Sequence, residues 1–113
     1  MTSPVENATH GVAETPYGAK VAFTRSRSTW ATLFGEKPAE GVYGLCDWLG
    51  DTVHVGVFRG GIQTLCHECV HAALFILDGA GVDVTESNGE PLAYLTDFLF
   101  GKGRQALWAA RST

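Results

Sequence analysis

The stretch at residues 64–72, T-L-C-H-E-C-V-H-A, decides how this chain is organised. It contains the pattern H-E-x-x-H, in which His67 and His71 stand four residues apart. Residues i and i+4 share one face of an α-helix, so the two imidazoles would point at one position, which suits a zinc ion. Glu68 would lie beside that metal, where a hydrolytic site needs its general base. The stretch therefore predicts a zinc site on a helix.

The residues around the motif favour a long, largely buried helix. Apolar side chains recur at helical spacing on both sides of it: Leu65, Val70, Leu74 and Leu77. These residues predict a helix from about 62 to 78 that ends at the Gly-Ala-Gly sequence of 79–81. Two imidazoles and a carboxylate are costly to bury without a partner. A metal supplies that partner, whereas an ordinary core helix with hydrogen-bonded histidines is the alternative.

Composition limits the class of protein. The 113 residues fit one domain, and 45% hydrophobic with 18% charged residues is typical of a soluble globular protein. The net charge is −4 and the Lys and Arg residues are scattered, so we expect no nucleic-acid partner. Neither a membrane-spanning run nor a signal peptide is recognisable, which predicts a cytoplasmic protein without membrane contact. The odd count of three cysteines argues against a disulfide framework.

The part of the chain before the motif predicts a small sheet. Residues 1–18 are rich in Thr, Ser, Pro, Gly and Asn, which indicates a loose N-terminal arm and leaves 19–113 as a single domain. Three elements are expected next: a strand at 20–24, a helix at 28–34 closed by Gly35, and a hairpin with strands at 42–49 and 52–58. The pair Gly50-Asp51 supplies the hairpin turn. In the second hairpin strand valines alternate, which is typical of a strand with one buried face.

A second helix is predicted beyond the motif helix. Pro91 suits a first helical turn, an apolar run follows at 91–100, and Gly101 would end the helix. Residues 104–110 would extend or follow it. With strands mostly before the motif and helices after it, the predicted fold class is α+β.

A tetrahedral catalytic zinc needs a third protein ligand besides His67 and His71. Glu90 is the best candidate, because it begins the second helix and a short connection can fold its carboxylate back onto the motif. Glu86, in the preceding polar connection, is the runner-up. Two further carboxylates, Asp78 and Asp83, are more simply explained as caps or solvated loop charges.

At these residues the chain resembles a known family. The sequence T-L-x-H-E-x-x-H-A at 64–72 is similar to the active-site helix of zincin metallopeptidases. The sequence E-x-x-A-Y that starts at Glu90 is similar to the segment that supplies the third ligand in gluzincins. Among these, the chain looks like the small single-domain minigluzincins of phages and prophages. The resemblance implies a small zincin-like domain with a short antiparallel sheet, in which an edge strand, here 52–58, precedes the active-site helix.

The resemblance also implies a mechanism and a partner. Zn²⁺ would be held by His67, His71 and Glu90, and Glu68 would polarise a water for hydrolysis of a peptide bond. A peptide or protein substrate would pair with the exposed edge of the strand at 52–58. One turn after Glu90, the hydroxyl of Tyr94 would help to hold the oxyanion.

Other residues and another function stay open. Cys66 and Cys69 form C-x-x-C, but inside an apolar helix they are more simply packing residues than zinc ligands. His54 would face the cleft from its strand or be an ordinary hydrogen-bonded residue. The alternative function is a non-catalytic phage accessory protein, zinc-binding or metal-free, that binds and modulates a host or phage protein.

Overall fold

The computed structural model of the chain describes residues 10–108. This part of the chain forms one sheet, three α-helices and a short 3₁₀ turn, so the predicted α+β class is confirmed. In chain order the elements are β1 (His10–Glu14), β2 (Lys20–Thr24), α1 (Arg27–Phe34), β3 (Gly44–Leu49), β4 (Thr52–Val57), α2 (Gly61–Gly79), the 3₁₀ turn (Glu86–Gly89) and α3 (Glu90–Trp108). No helix within residues 10–108 has the length and apolar character needed to cross a membrane.

The sheet is mixed, whereas an antiparallel sheet was predicted. Its strand order is β1-β2-β4-β3. The two outer pairs, β1 with β2 and β3 with β4, are antiparallel, but the central pair β2 and β4 is parallel. The reason is the connection: α1 and the β3 strand lie between β2 and β4 in the sequence, so the chain re-enters the sheet in its original direction.

Strand β4 occupies the middle of the sheet, so the prediction of an edge strand at 52–58 is wrong. Thr52–Val57 pairs with β2 on one side and β3 on the other. Its valines face α2, while His54 and Gly56 are also buried, on the opposite face beneath α1. A substrate cannot pair with β4, because its backbone hydrogen-bonding groups are shared with two neighbouring strands. The edge strand beside β4 is β3.

The predicted loose arm at 1–18 is wrong for residues 10–18. His10–Glu14 forms β1, which pairs with β2 through a tight hairpin turn. In that turn Thr15 donates its N–H to the carbonyl of Ala19 at 2.9 Å, and Gly18 adopts a φ of +90°. Residues 1–9 lie outside the described part of the chain. The folded domain therefore includes residues assigned by composition to an arm.

The helices pack in two layers around the sheet. α2 and α3 cover one face, and the core between them is built from Leu65, Ile76, Leu77, Leu95 and Leu99. The predicted short helix is confirmed as α1 on the other face. Its N-cap Ser26 accepts the Thr29 N–H at 3.0 Å, and Gly35 ends it with a φ of +84°. Helix α1 places its aromatic side chains against the back of β4.

Helix α3 is longer than the run at 91–100, so its predicted end at Gly101 is wrong. It continues to Trp108 and contains residues that were left either to extend or to follow it. Close packing explains why residue 103, inside this helix, is a glycine. A Cβ at Gly103 would lie 2.7 Å from Leu65 Cδ1 and 2.9 Å from Phe23 Cε1. The missing side chain lets α3 approach α2 and β2 closely.

Candidate metal centre

Helix α2 brings the two predicted histidine ligands together. The Nε2 atoms of His67 and His71 are 3.3 Å apart, and their ring planes are inclined by 70°. Zinc–nitrogen bonds of 2.0–2.1 Å at a tetrahedral angle hold two nitrogens about 3.3 Å apart. The same two nitrogens are also within hydrogen-bonding distance, with one ring donating its N–H and the other accepting. Both side chains are exposed, so a metal from solvent can reach them. The spacing of the pair therefore fits two ligands of one tetrahedral metal ion, and it fits a hydrogen bond between the two histidines as well.

Glu68 lies next to this pair in a different environment. Its residue is only 7% exposed, and the burial raises the pKa of its carboxyl while the charges of His67 and His71 lower it. Glu68 opens onto a cavity of about 370 Å³, which His67 also lines. A poorly hydrated carboxylate holds a proton more readily than one in water, which is what a general base beside a metal requires.

Strand β3 reaches the centre because of a glycine. A Cβ on Gly44 would lie 2.7 Å from Thr64 Cγ2 and 2.9 Å from Glu68 Cγ. It would also lie 2.8 Å from the carbonyl oxygen of Gly56. Any side chain at Gly44 would push the edge strand away from α2. Gly44 was not predicted to belong to the site, although a glycine inside a predicted strand is a known sign of close backbone approach.

The structure does not gather the third ligand. Glu90 is the first residue of α3 and has helical angles, φ −58° and ψ −42°, although it precedes proline. Glu86 lies in the 3₁₀ turn, and both carboxylates are exposed. Among residues 10–108 no group of three or more His, Cys, Asp and Glu side chains is placed to hold a metal. Tyr94 is 69% exposed on α3. Thus His67, His71 and Glu68 come together, while the roles of Glu90, Glu86 and Tyr94 stay predictions.

The cysteines of the C-x-x-C pattern point in different directions. Cys66 is exposed in a groove with Val70 and Phe100, whereas Cys69 is fully buried in the core. Burial, together with the neighbouring Cys66 and Glu68, raises the pKa of the Cys69 thiol to about 12. A thiol that stays protonated is a poor metal ligand. The packing role expected for both is confirmed for Cys69 and is wrong for Cys66, which is exposed.

His54 lies away from the centre. It projects from the opposite face of β4, with its ring 5.7 Å from that of Phe34 in an edge-to-face contact. Burial lowers the pKa of this histidine. The possibility that His54 faces the cleft is therefore wrong, because His54 alternates with the valines that face α2.

No protein-family model, curated protein or solved structure matches this chain. The function is therefore inferred from the geometry around His67, Glu68 and His71.

Proposed function

We propose that this chain is a zinc-dependent metallopeptidase that acts in the cytoplasm. The observation that carries the proposal is the 3.3 Å separation of the His67 and His71 Nε2 atoms, which matches two ligands of a tetrahedral zinc. Glu90 is proposed as the third ligand, with Glu86 as the alternative. The proposed ligand set leaves one position for water and substrate, as catalytic zinc sites do.

Glu68 and Tyr94 have different roles in the proposed hydrolysis. When bound, zinc supplies Lewis acidity, which makes water a better nucleophile and polarises the scissile carbonyl. Glu68 accepts the proton of the attacking water and returns it to the leaving amine. Its burial beside the histidines supports this role. The exposed hydroxyl of Tyr94 is proposed to donate to the oxyanion that develops on the carbonyl.

The substrate is proposed to be an extended peptide that pairs with β3. β3 takes the place of the strand at 52–58 as the proposed substrate-pairing strand, because β4 already pairs with a strand on each side. β3 is the edge that lies beside His67 and Glu68, because Gly44 brings it against α2. Strand addition supplies main-chain hydrogen bonds and aligns a peptide without demanding a particular sequence.

A second candidate function is a non-catalytic binding protein, zinc-bound or metal-free, of the phage accessory type. One observation favours it: within residues 10–108 only two ligands are assembled, and catalytic zinc sites have three. The presence of Glu68 between the histidines favours the peptidase, because a structural site has no use for a carboxylate at that position.

Zinc content and hydrolysis test the proposal together. We expect one equivalent of zinc per chain in the wild type and in Glu68→Gln, and a loss of zinc in His67→Ala. Release of fluorescence from quenched casein should occur in the wild type and fall by at least about 100-fold in Glu68→Gln, because its amide cannot take up the proton.

Two results would contradict the peptidase. A wild type that folds normally and binds no zinc would remove the metal centre. The binding protein would be favoured instead if the wild type bound zinc without hydrolysing casein and the Glu68→Gln variant kept the biological effect of the wild type. Circular dichroism of each variant controls for loss of the fold.

A further inference from the structure

Strand β3 presents a free backbone edge in the described part of the chain. The sheet order places β4 on one side of it and no described strand on the other. The Tyr43 carbonyl accepts the Phe58 N–H at 2.8 Å, so this pair faces inward. Inward and outward residues alternate along an antiparallel strand. The backbone groups that point away from β4 are therefore those of Gly44, Cys46 and Trp48.

Only part of this edge is open to a partner. The amide of Trp48 donates to the carboxylate of its own neighbour Asp47 at 2.8 Å, which confirms its outward direction and caps that end of the strand. The other outward positions, Gly44 and Cys46, lie at the end nearer the metal centre. A short extended peptide can therefore add to the sheet beside the centre and not along the whole strand.

A second cavity flanks the same edge, on the α1 side of the sheet. Its volume is about 410 Å³, and its lining combines apolar residues with charged residues at 36, 37 and 47. The apolar residues include Trp30, Phe34, Pro38 and Leu45. Trp30 and Phe34 stack with their ring centres 4.3 Å apart, which gives the cavity an aromatic wall. This apolar cavity and the cavity lined by His67 and Glu68 thus lie on opposite faces of the same end of β3.

The outer wall of the apolar cavity is held in place by Arg27. Its guanidinium donates to the carbonyl of Ala39 at 2.6 Å and to those of Glu40 and Val42 at 3.1 Å each. Three hydrogen bonds from one rigid, charged group fix the loop between α1 and β3. The cavity is therefore formed before any ligand arrives, which reduces the entropy lost on binding.

We propose that this apolar cavity selects the substrate, an inference that rests on the proposed peptidase function. In an added strand each side chain lies on the same face as the residue directly opposite, and successive side chains alternate. A substrate residue opposite Gly44 then faces His67 and Glu68. The next residue, opposite Leu45, enters the apolar cavity. The substrates are extended peptides with a bulky apolar side chain directly beside the residue at the centre.

Peptide binding to the zinc-loaded Glu68→Gln protein tests this selection without cleavage. The probes are blocked hexapeptides that differ at one position, Phe, Leu, Ser or Asp, with that position moved along the peptide. We expect Phe and Leu to bind at least about tenfold tighter than Ser or Asp at one position, because a buried apolar side chain contributes that much. Leu45→Ser should abolish the preference. Leu49→Ser is the matched control, since Leu49 is 38% exposed on the same face of β3 and does not line the cavity.

The outcomes separate this inference from the peptidase itself. A Leu45-dependent preference in a protein that cleaves no peptide would support the inference and overturn the peptidase. Cleavage of all four peptides at equal kcat/KM, unchanged in Leu45→Ser, would support the peptidase and overturn the inference. Equal effects of Leu45→Ser and Leu49→Ser, or binding of no peptide by the zinc-loaded protein, would also overturn it. Leu45→Met, which keeps an apolar side chain, should retain the preference and controls for misfolding.

Discussion

His54 is a buried histidine whose charged form the fold disfavours. Its residue is 5% exposed between β4 and Phe34. Asp47 lies opposite His54 on the neighbouring strand β3, and its carboxylate accepts a hydrogen bond from the Trp48 N–H. Burial lowers the pKa of His54 from 6.5, since the imidazolium would lose its hydration. Protonation of this residue is therefore coupled to unfolding.

The stability of the protein should fall as the pH drops below about 6.5. Unfolded His54 takes up a proton near that pH, whereas folded His54 stays neutral until its lower pKa is reached. The unfolded state binds more protons in this window, so the free energy of unfolding decreases, by about 1.4 kcal/mol for each unit of pKa difference. His54→Leu should lose less stability than the wild type between pH 7.5 and pH 5.5, measured by urea denaturation in EDTA. Parallel losses in the two proteins would show that His54 is not the group responsible.

The centre was predictable where its geometry is local. His67 and His71 are one helical turn apart, so helix geometry places their Cβ atoms about 5–6 Å apart on one face. The rotamers of the two side chains then bring their Nε2 atoms to 3.3 Å. Glu68 was predictable for the same reason. Gly44 was not recognised, because its importance depends on contact with Thr64, twenty positions later in the chain. Local patterns do not reveal which residues a distant element will touch.

Among the elements, α3 shows how packing overrides a local signal. A glycine is a common end to a helix, and Gly101 follows an apolar run. The helix nevertheless continues, because Gly103 and Leu107 bury against the core beyond it. The two glycines differ in their surroundings: a Cβ at Gly101 meets nothing within 4 Å, whereas one at Gly103 meets Leu65 and Phe23.

This contrast predicts opposite effects for the same substitution. Gly101→Ala should raise the free energy of unfolding by about 0.5–1 kcal/mol, because alanine costs less backbone entropy in a helix. Gly103→Ala should lower it by about 1–3 kcal/mol, because the new methyl group overpacks the contact with Leu65. Chemical denaturation of the two variants against the wild type measures both. A stabilising Gly103→Ala would mean that α3 is not tightly packed at this position.

The strands show what alternation can and cannot predict. The bounds 20–24 are confirmed for β2, and the hairpin around Gly50-Asp51 is confirmed as β3 and β4. The alternating valines of β4 indicated one buried face, and they do face α2. His54 and Gly56 gave no sign that the second face is also buried, because neither is a typical core residue. The hairpin turn at 15–18 has the sequence Thr-Pro-Tyr-Gly, in which proline and glycine favour a tight turn. The overall composition of residues 1–18 nevertheless led to the prediction of an arm.

At the scale of the whole molecule, the proposed metal centre lies where separate elements meet. α2 carries both histidines, and β3 supplies the edge beside them. Of the two proposed third ligands, Glu86 lies inside the connection between α2 and α3, and Glu90 is the residue directly after it. That connection contains Ser87 and Asn88 with φ of +53° and +61°, which no sequence periodicity predicts. The position of Glu90 relative to the histidines therefore depends on a backbone path that local patterns do not specify.

Zinc should stabilise the entire domain, and the size of the effect identifies the third ligand. An ion that binds only the folded state at about 100 times its Kd adds about 2.7 kcal/mol to the free energy of unfolding. Glu90→Ala should lose at least about 1.3 kcal/mol of this gain at the same zinc concentration, because a tenfold weaker Kd lowers the gain from about 2.7 to about 1.4 kcal/mol. Glu86→Ala, which removes another exposed carboxylate four residues earlier, should keep the full gain. Urea denaturation with zinc and with EDTA measures each difference. A full gain in Glu90→Ala with a loss in Glu86→Ala would assign the ligand to Glu86, because only a coordinating carboxylate transmits the metal's binding energy to folding.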